Sequence, residues 1–422
     1  MISIFGLDFG IDFINWLYSL SIYQILAILL FASIDVIRNI GKIIALTIDH
    51  FIKKVKSGSR TSSNITTSHP KISILVPAHN ESESIKKTII SILENNYPNK
   101  EVIIIDDHSS DDTFDQASEF LDKGLIKIYK RMEGRGSKAA AINFGAVFAT
   151  GDILMIMDGD TLIERNVLKQ IANYMNDPDV VAVAGNVRIL SGDKGVSNIL
   201  TRCQSYEYVI AFELGRRVGN LMNILVIIPG AFGAFKKDIA RKVGLYDKDT
   251  ITEDFDLTVK LFKTGGKIMF ISDAIAWTFC PSTWKGWIRQ RLRWTHGQIA
   301  TILKHKDVIT SKNVVYKSLF IISVLDMLFM DIVLISLRFA SLIWIAFIGF
   351  TDSLINAFLL LMLVYIVNES IAFLASALFS PNKDDLMYVY LLPFIILVYR
   401  PAYAFIRIYA IVSTLVKKDT KW

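Results

Sequence analysis

The chain has 422 residues, a formal net charge of +6 and 52 % hydrophobic residues. Its mean hydropathy of +0.41 is too high for an ordinary soluble protein, yet 20 % of its residues are charged, so we expect a soluble domain joined to membrane helices. No arginine-rich block argues for nucleic acid, and the two cysteines, Cys203 and Cys280, lie in no CxxC or Cys/His cluster, which argues against disulfides and structural zinc.

The N-terminal part predicts a membrane crossing followed by a surface helix. Residues 13–34 are uncharged and long enough to cross a bilayer, so we assign a transmembrane helix to residues 1–37. Acids precede this stretch and basic residues follow it, which places the N-terminus outside and the next domain in the cytoplasm. Within residues 38–70, the stretch 40–52 predicts an amphipathic helix on the membrane and 57–68 a flexible linker.

From residue 71 to about residue 310, short apolar strands alternate with amphipathic helices. The predicted strands cover 72–76, 102–105, 125–129 and 153–157, and the predicted helices cover 84–93, 113–121 and 138–149. This βαβα order predicts a parallel sheet with helices on both of its faces.

Residues 311–422 are apolar again and predict interfacial and transmembrane helices. The stretches 332–350 and 354–380 read as two crossings joined by a short outer loop. Lys417 and Lys418 favour a cytoplasmic C-terminus.

A last apolar stretch, 386–416, is long for one membrane helix and short for two. Pro393 and Pro401 should break it. Arg400 and Arg407 lie inside it, and intramembrane arginines normally face a protein interior or a wet cavity. The number of crossings therefore stays open.

The fourth predicted strand ends in two acids around a glycine, Asp158-Gly159-Asp160. Ligands of open α/β sheets lie beyond the carboxyl ends of the strands, and glycine lets the backbone turn sharply there. Two carboxylates so placed can hold a hard divalent cation through oxygen. Taken alone, the tripeptide would more often be a solvated strand-to-turn junction than a metal site.

The first two predicted strands also end in polar residues. Glu81 follows the first strand, and Asp106 and Asp107 follow the second. Acids at strand ends can accept hydrogen bonds from a base or a ribose hydroxyl. Lys138 begins the third helix after two glycines, where a helix N-terminus and a lysine can face a diphosphate.

Three motifs follow later in the chain. Residues 228–235 combine glycines with apolar side chains. This pattern suits the wall of a ligand channel and a plain turn equally well. Glu253, Asp254 and Asp256 crowd one helical turn despite their mutual repulsion, which makes them candidate general bases. The sequence Gln-Arg-Leu-Arg-Trp at 290–294 can clamp a diphosphate and stack on a sugar ring, and it also suits a helix at the membrane surface.

In this order the motifs resemble the family-2 glycosyltransferases of GT-A fold, in particular the membrane-embedded synthases of cellulose, chitin, hyaluronan and poly-N-acetylglucosamine. Thr-Glu-Asp at 252–254 followed by Gln-x-x-Arg-Trp at 290–294 is the strongest part of the resemblance, which covers residues 71 to about 301. It implies an α/β GT-A (Rossmann-like) domain inserted between an N-terminal transmembrane helix and a C-terminal multi-helix membrane region.

The resemblance also implies residue roles. Asp158 and Asp160 would hold Mg²⁺ or Mn²⁺ on the diphosphate of a UDP-sugar donor. Asp254 would take the proton of the acceptor hydroxyl, with Glu253 and Asp160 as its catalytic neighbours. The implied nucleotide-binding residues are Pro77, Ala78, Glu81, Asp106, Asp107, Lys138 and Asp158, while Gln290, Arg293 and Trp294 would hold the diphosphate and the terminal sugar of the acceptor.

The sequence departs from this family at two positions near the expected base. His79 stands where tyrosine is usual, and His108 stands where glycine is common. The sequence therefore predicts metal binding more firmly than it predicts the identity of the donor. The expected partners are a UDP-sugar (UDP-GlcNAc or UDP-Glc), a growing polysaccharide or lipid-linked acceptor, membrane lipid and accessory subunits. Two alternatives stay open: transfer of a single sugar to a lipid, and a catalytically inactive sugar-binding subunit.

Overall fold

The computed structural model describes residues 22–59, 69–132, 137–225, 227–310, 318, 320–322, 324 and 352–416. The predicted crossing at 332–350, the start of the first crossing and most of the predicted linker lie outside the described residues.

An eight-stranded mixed sheet forms the centre of the domain, in the order β3-β2-β1-β4-β7-β6-β8-β5. The strands are β1 Ile72–Ala78, β2 Lys100–Asp106, β3 Lys127–Lys130, β4 Ile153–Met157, β5 Leu162–Ile163, β6 Val180–Gly192, β7 Phe232–Lys236 and β8 Lys267–Cys280. Strands β1 to β4 are parallel, whereas β7 runs antiparallel to both β4 and β6. The prediction of a parallel sheet therefore holds for the first four strands and is wrong for the sheet as a whole.

The predicted elements of the first half agree with the structure to within a few residues. Strand β4 is buried at all five positions, as expected for a short apolar run covered on both faces. The helices of this domain are α2 Ile85–Leu93, α3 Thr113–Leu121, α4 Lys138–Phe148, α5 Val167–Met175, α6 Ile199–Val209, α7 Arg217–Leu221, α8 Lys237–Lys242, α9 Glu253–Phe262 and α10 Trp284–Lys304, and a π-helical turn, Ile210–Arg216, joins α6 to α7.

The N-terminal segment is one continuous helix, α1, from Ile22 to Ser59, where the sequence predicts a crossing, a separate surface helix and the start of a linker. No proline interrupts these residues, so nothing in the backbone forces a break. Ile44, Ile48 and Phe51 are exposed along it, while Leu46 is buried against the neighbouring helices.

The C-terminal part contains α11, Asp352–Phe379, followed by a broken helical segment. That segment comprises a 3₁₀ helix Lys383–Leu391, the short α12 Leu392–Phe394, a second π-helical turn Ile395–Tyr399, and α13 Arg400–Leu415. Met362–Phe379 and Lys383–Thr414 are long and apolar enough to cross a membrane, by length and composition.

The two arginines of the broken segment contact neighbouring helices. Arg400 donates to Glu369 of α11 at 2.9 Å, and Arg407 donates to Gln298 of α10 at 2.9 Å. Both contacts agree with the expectation that these arginines face protein.

Candidate active site

The carboxyl ends of β1, β2 and β4 meet at one edge of the sheet. Ala78, the last residue of β1, pairs with Asp106, the last residue of β2, and Leu75 pairs with Ile156 of β4. Because β1 connects onward to β2 while β4 lies on its other side, this edge is a topological switch point, where ligands of α/β sheets bind.

Three acids converge just beyond this edge. The turn Asp158-Gly159-Asp160 lies against Glu81, so closely that a Cβ on Gly159 would come within 3.0 Å of Glu81 Cγ. Burial, followed by the charges of Asp158 and Glu81, raises the pKa of Asp160 to about 7. Burial also raises the pKa of Glu81, with Asp158 adding to the effect. The turn is therefore a focus of negative charge that would attract a cation.

Pro77 and Ala78 are the last residues of β1. Ala78 is buried, and its Cβ lies 3.5 Å from the position of a Cβ on Gly159. Ala78 therefore packs against the acidic turn, and Pro77 precedes it in the strand.

Lys138, at the N-terminus of α4, supplies the cation that faces these acids. Its Nζ pairs with the Asp158 carboxylate and donates to the carbonyl oxygen of Gly230 at 3.0 Å. Burial lowers the pKa of Lys138, but the Asp158 and Glu253 carboxylates outweigh that effect and hold it above its ordinary value. Lys138 is therefore a charged neighbour of both acidic motifs.

Gly230 connects Lys138 to Asp254. Its N–H donates to Asp254 Oδ2 at 2.9 Å, and the N–H of Phe255 donates to Oδ1 at 2.8 Å. A Cβ on Gly230 would lie 3.2 Å from Asp254 Oδ2 and 3.3 Å from Lys138 Nζ, so this position has little room for a side chain. The 228–235 motif thus places its backbone between the two charged groups.

The three acids at the start of α9 have different environments. Burial and the neighbouring Asp254 raise the pKa of Glu253, against the opposing effect of Lys138. Asp256 does not join the site: it is fully buried and accepts hydrogen bonds from His305 at 2.9 Å and pairs with Lys304 at 3.2 Å. Burial would raise the pKa of Asp256, but these partners lower it. The prediction that all three acids are candidate bases is therefore wrong for Asp256.

The acids at the carboxyl end of β2, Asp106 and Asp107, have separate partners. Asp107 pairs with Arg131 at 2.7 Å. Asp106 is fully buried and accepts the N–H of Ser109 at 3.2 Å, while its Oδ2 has no hydrogen-bond partner among the described residues. A buried carboxylate oxygen without a donor is costly, and a nucleoside donor could satisfy it.

The two histidines that depart from the family pattern have simple structural explanations. His108 has φ of +68°, a left-handed conformation that glycine adopts without strain, which accounts for the usual glycine at this position. His79 Nδ1 lies 2.8 Å from the carbonyl oxygen of Asp107, so its ring is tied to the same loop.

The Gln-x-x-Arg-Trp motif lies in the first half of α10. Gln290 and Trp294 are half-buried and Arg293 is exposed. The charge of Arg293 lowers the pKa of Glu253, which places this guanidinium on the side of the acidic site. The motif and the strand-end acids therefore belong to one region of the molecule.

Sequence reasoning missed Arg216, which ends the first π-helical turn. Its guanidinium lies 4.6 Å from the centroid of the Phe212 ring, donates to the carbonyl oxygen of Ile227 and interacts electrostatically with Asp254. Burial lowers the pKa of Arg216 to about 10. No sequence signal marks a π turn, because its extra residue shifts the side chains away from helical periodicity.

The donor set at the acidic turn fits a divalent metal. No group of three or more His, Cys, Asp and Glu residues that could hold a metal ion occurs in the part of the chain that the structure describes. Asp158 and Asp160 nevertheless offer two carboxylates whose negative charge is only partly offset by Lys138. A hard cation bound by one or two carboxylates together with diphosphate oxygens is a common arrangement for Mg²⁺.

The fold is that of GT-A-like glycosyltransferases. A mannosyltransferase from Pyrobaculum calidifontis, solved in complex with GDP-Man and Mn²⁺, superposes with a TM-score of 0.55 over 93 % of this chain and 100 % of its own, at 19 % sequence identity.

A family model described as glycosyltransferase like family 2 matches residues 69–297. The chain belongs to this family and is a glycosyltransferase. It is 35 % identical over 242 residues to a probable glycosyltransferase, YdaM, of Bacillus subtilis (strain 168), covering 56 % of this chain and 57 % of the relative. It is also 35 % identical over 234 residues to the poly-β-1,6-N-acetyl-D-glucosamine synthase of Staphylococcus aureus (strain COL), covering 55 % and 56 %. The match thus spans about half the length of these curated relatives.

Proposed function

We propose that this glycosyltransferase is an inverting membrane enzyme that uses a UDP-sugar, UDP-GlcNAc or UDP-Glc, to extend a β-linked polysaccharide and pass it across the membrane. The observation that carries this proposal is a chain of contacts: Asp254 and Lys138 both bond to the backbone of Gly230, and Lys138 pairs with Asp158. The candidate base Asp254 is thereby linked to the candidate donor-phosphate site at Asp158 through the Gly230 backbone and the Lys138 side chain. Similarity to a poly-β-1,6-N-acetyl-D-glucosamine synthase supports the polymer.

The residues divide the reaction between donor and acceptor. Asp158 and Asp160 would hold Mg²⁺ or Mn²⁺, which when bound neutralises charge on the diphosphate leaving group. Lys138 lies beside Asp158 and adds a positive charge on the donor side. Asp106 and Asp107 lie at the β2 end, where acids can accept hydrogen bonds from the nucleoside.

The chemical step is a single in-line displacement. The acceptor hydroxyl oxygen forms a bond to the anomeric carbon as the bond from that carbon to the diphosphate oxygen breaks. Its proton passes to the Asp254 carboxylate, and UDP leaves with the bonding electrons. Attack on the face opposite UDP converts an α-linked donor into a β-linked product. Positioning and base catalysis are the protein's main contributions.

The acceptor side leads toward the C-terminal helices. Trp294 presents a half-buried ring on α10, and α10 packs along α13 of the broken segment. Arg400 and Arg407 contact Glu369 and Gln298, so polar groups lie between the helices. These contacts support a polar path for the polymer, with Trp294 at its entrance.

The test uses membranes that contain the full chain, supplied with UDP-GlcNAc, UDP-Glc or GDP-mannose together with Mg²⁺ or Mn²⁺. Release of UDP and growth of a labelled, high-molecular-weight product with one UDP-sugar is the expected result. A labelled product of glycolipid size would instead favour single transfer to a lipid. Absence of nucleotide release with every donor, from a correctly folded chain, would favour the inactive sugar-binding subunit.

A further inference from the structure

Arg291 is the one residue of the 290–294 motif whose side chain is completely buried, with 0 % of it exposed. Its neighbour Arg293 is exposed on the same helix. Burying a guanidinium is costly unless its donors are paired, so the contacts of Arg291 indicate what the burial achieves.

Arg291 contacts two half-buried residues of the motif, Gln290 and Trp294. Its Nη1 donates to Gln290 Oε1 at 3.0 Å, and its guanidinium lies 4.3 Å from the centroid of the Trp294 ring. A planar guanidinium can fork its hydrogen bonds and stack on an aromatic face at the same time, which an ammonium cannot do. Arg291 therefore fixes the orientation of the amide and of the indole together.

The other side of the guanidinium is tied to the broken C-terminal segment. Arg291 Nη2 donates to Glu207 Oε2 at 2.7 Å, and the Tyr399 hydroxyl donates to the same oxygen. Trp287 Nε1 donates in turn to the Tyr399 hydroxyl at 3.0 Å. All of these groups are buried or half-buried.

Tyr399 occupies a distinctive position in the backbone. It is the last residue of the second π-helical turn, Ile395–Tyr399, between Pro393 and Pro401. Single π turns inside helices occur frequently at functional sites. The break in the C-terminal segment thus lies against the residue that orients Trp294.

We propose that Arg291 is a positioning residue for the acceptor: it holds Gln290 and Trp294 in their working orientation and couples that orientation to the helix break at Tyr399. The inference rests on the proposed function, because it takes Trp294 as the acceptor platform. A change in the C-terminal segment at Tyr399 would reach the acceptor sugar through Glu207, Arg291 and the indole ring.

A merely structural role makes a different prediction. If Arg291 served only to neutralise Glu207, then any cation at position 291 would suffice. Arg291→Lys would then keep full activity, while Arg291→Met would lower the thermal stability of the chain or unfold it. The positioning role instead requires the planar guanidinium, which bonds to Gln290 and stacks on Trp294 at the same time. Arg291→Lys would therefore keep the stability of the chain but weaken acceptor binding.

The experiment compares Arg291→Lys, Arg291→Met and Tyr399→Phe in full-length chain in membranes. The control is Arg289→Lys, an exposed residue of the same helix. Initial rates of UDP release are measured against donor concentration and against a β-1,6-linked N-acetylglucosamine pentamer as acceptor. Binding of the pentamer and thermal stability are measured separately.

We expect Arg291→Lys to raise the KM and the Kd for the pentamer roughly tenfold, the effect of losing one stacked or charge-assisted contact, with donor KM within about twofold. Tyr399→Phe, which keeps the ring and removes only the hydroxyl, should change acceptor KM in the same direction by a smaller factor and shorten the product. The control should match the wild type.

Wild-type acceptor KM in both Arg291→Lys and Tyr399→Phe would overturn the positioning role while leaving the proposed function intact. Equal loss of donor and acceptor affinity would also overturn it. A wild-type chain that neither releases UDP nor binds the pentamer would refute the proposed function, and the inference with it.

Discussion

Replacing Asp254 with asparagine tests whether this carboxylate contributes to catalysis in addition to its contribution to stability. The Asp254 carboxylate accepts the N–H of Gly230 through one oxygen and the N–H of Phe255 through the other. An asparagine side chain can accept through only one atom, so one backbone N–H would face an amide nitrogen. An unsatisfied buried donor costs about 1–3 kcal/mol, which corresponds to a fall in melting temperature on the order of several degrees in a domain of this size.

We expect the substitution to slow the reaction far more than its modest effect on stability would by itself. Asparagine cannot accept the acceptor's proton, and loss of a general base typically costs about 10²–10⁴-fold. A hundredfold loss in kcat corresponds to about 2.7 kcal/mol of transition-state stabilisation. We therefore expect Asp254→Asn to retain UDP-sugar binding within a few-fold and to release UDP at least about a hundredfold more slowly.

Asp256→Asn is the matched control, because it changes an acid of the same helical turn that faces His305 and Lys304. It should lower thermal stability more than Asp254→Asn does, since it removes the charge of a fully buried carboxylate that pairs with Lys304, while kcat changes only a few-fold. UDP release at saturating donor, donor titration and thermal melting make the comparison. An Asp254→Asn chain that loses donor affinity but keeps kcat at saturation would show that Asp254 binds substrate and that the base lies elsewhere.

Three further outcomes are expected. Excess chelator should abolish UDP release, and Mg²⁺ or Mn²⁺ should restore it; full turnover in chelator would remove the metal assignment from Asp158 and Asp160. Trp294→Ala should shorten or abolish polymer while slow UDP-sugar hydrolysis continues, measured as product size against UDP release; polymer of normal length would exclude stacking at Trp294. Hydrogen bonds, that from Lys127 foremost, outweigh burial and lower the pKa of Glu101 from 4.5 to about 2. Because the Lys127 side chain is half-exposed and its charge is screened by water, Glu101→Gln should lower the stability at neutral pH by about 1 kcal/mol. Because the folded pKa is the lower one, this contribution is lost as pH falls from about 4.5 toward 2, and an equal difference between variant and wild type in thermal melts at pH 7 and pH 3 would refute it.

The sequence by itself determined the first half of the fold and the class of the protein. Strand β4 is a continuous apolar run, and β1 and β2 each contain one, at residues 74–78 and 102–105. This local signal reflects a parallel sheet that is covered on both faces. Polar residues directly after these strands had to share one sheet edge, since parallel strands end together. The resemblance of Thr-Glu-Asp and Gln-x-x-Arg-Trp to the motifs of family-2 glycosyltransferases then indicated the family, which the match over residues 69–297 shows.

Other features depended on tertiary contacts that leave no local pattern. The direction of β7 is set by its pairing with β4 and β6, and its short sequence, Phe-Gly-Ala-Phe-Lys, carries no signal of strand direction. The continuity of α1 was likewise not predicted, because composition suggested separate elements while no proline breaks the backbone between Ile22 and Ser59.

The site itself shows the same division. By residue type and position alone, Asp254 and Asp256 are two equivalent acids in one helical turn, and only the resemblance of Thr-Glu-Asp to the family motif singled out Asp254. The structure separates them, because His305 and Lys304 meet Asp256 whereas the N–H of Gly230 meets Asp254. Within the 290–294 motif, Arg291 becomes the buried partner of Glu207 and Trp294 only once α6, α10 and the C-terminal segment pack together. Whether a charged side chain is buried, and which group it pairs with, depends on its neighbours, and those neighbours come from distant parts of the chain.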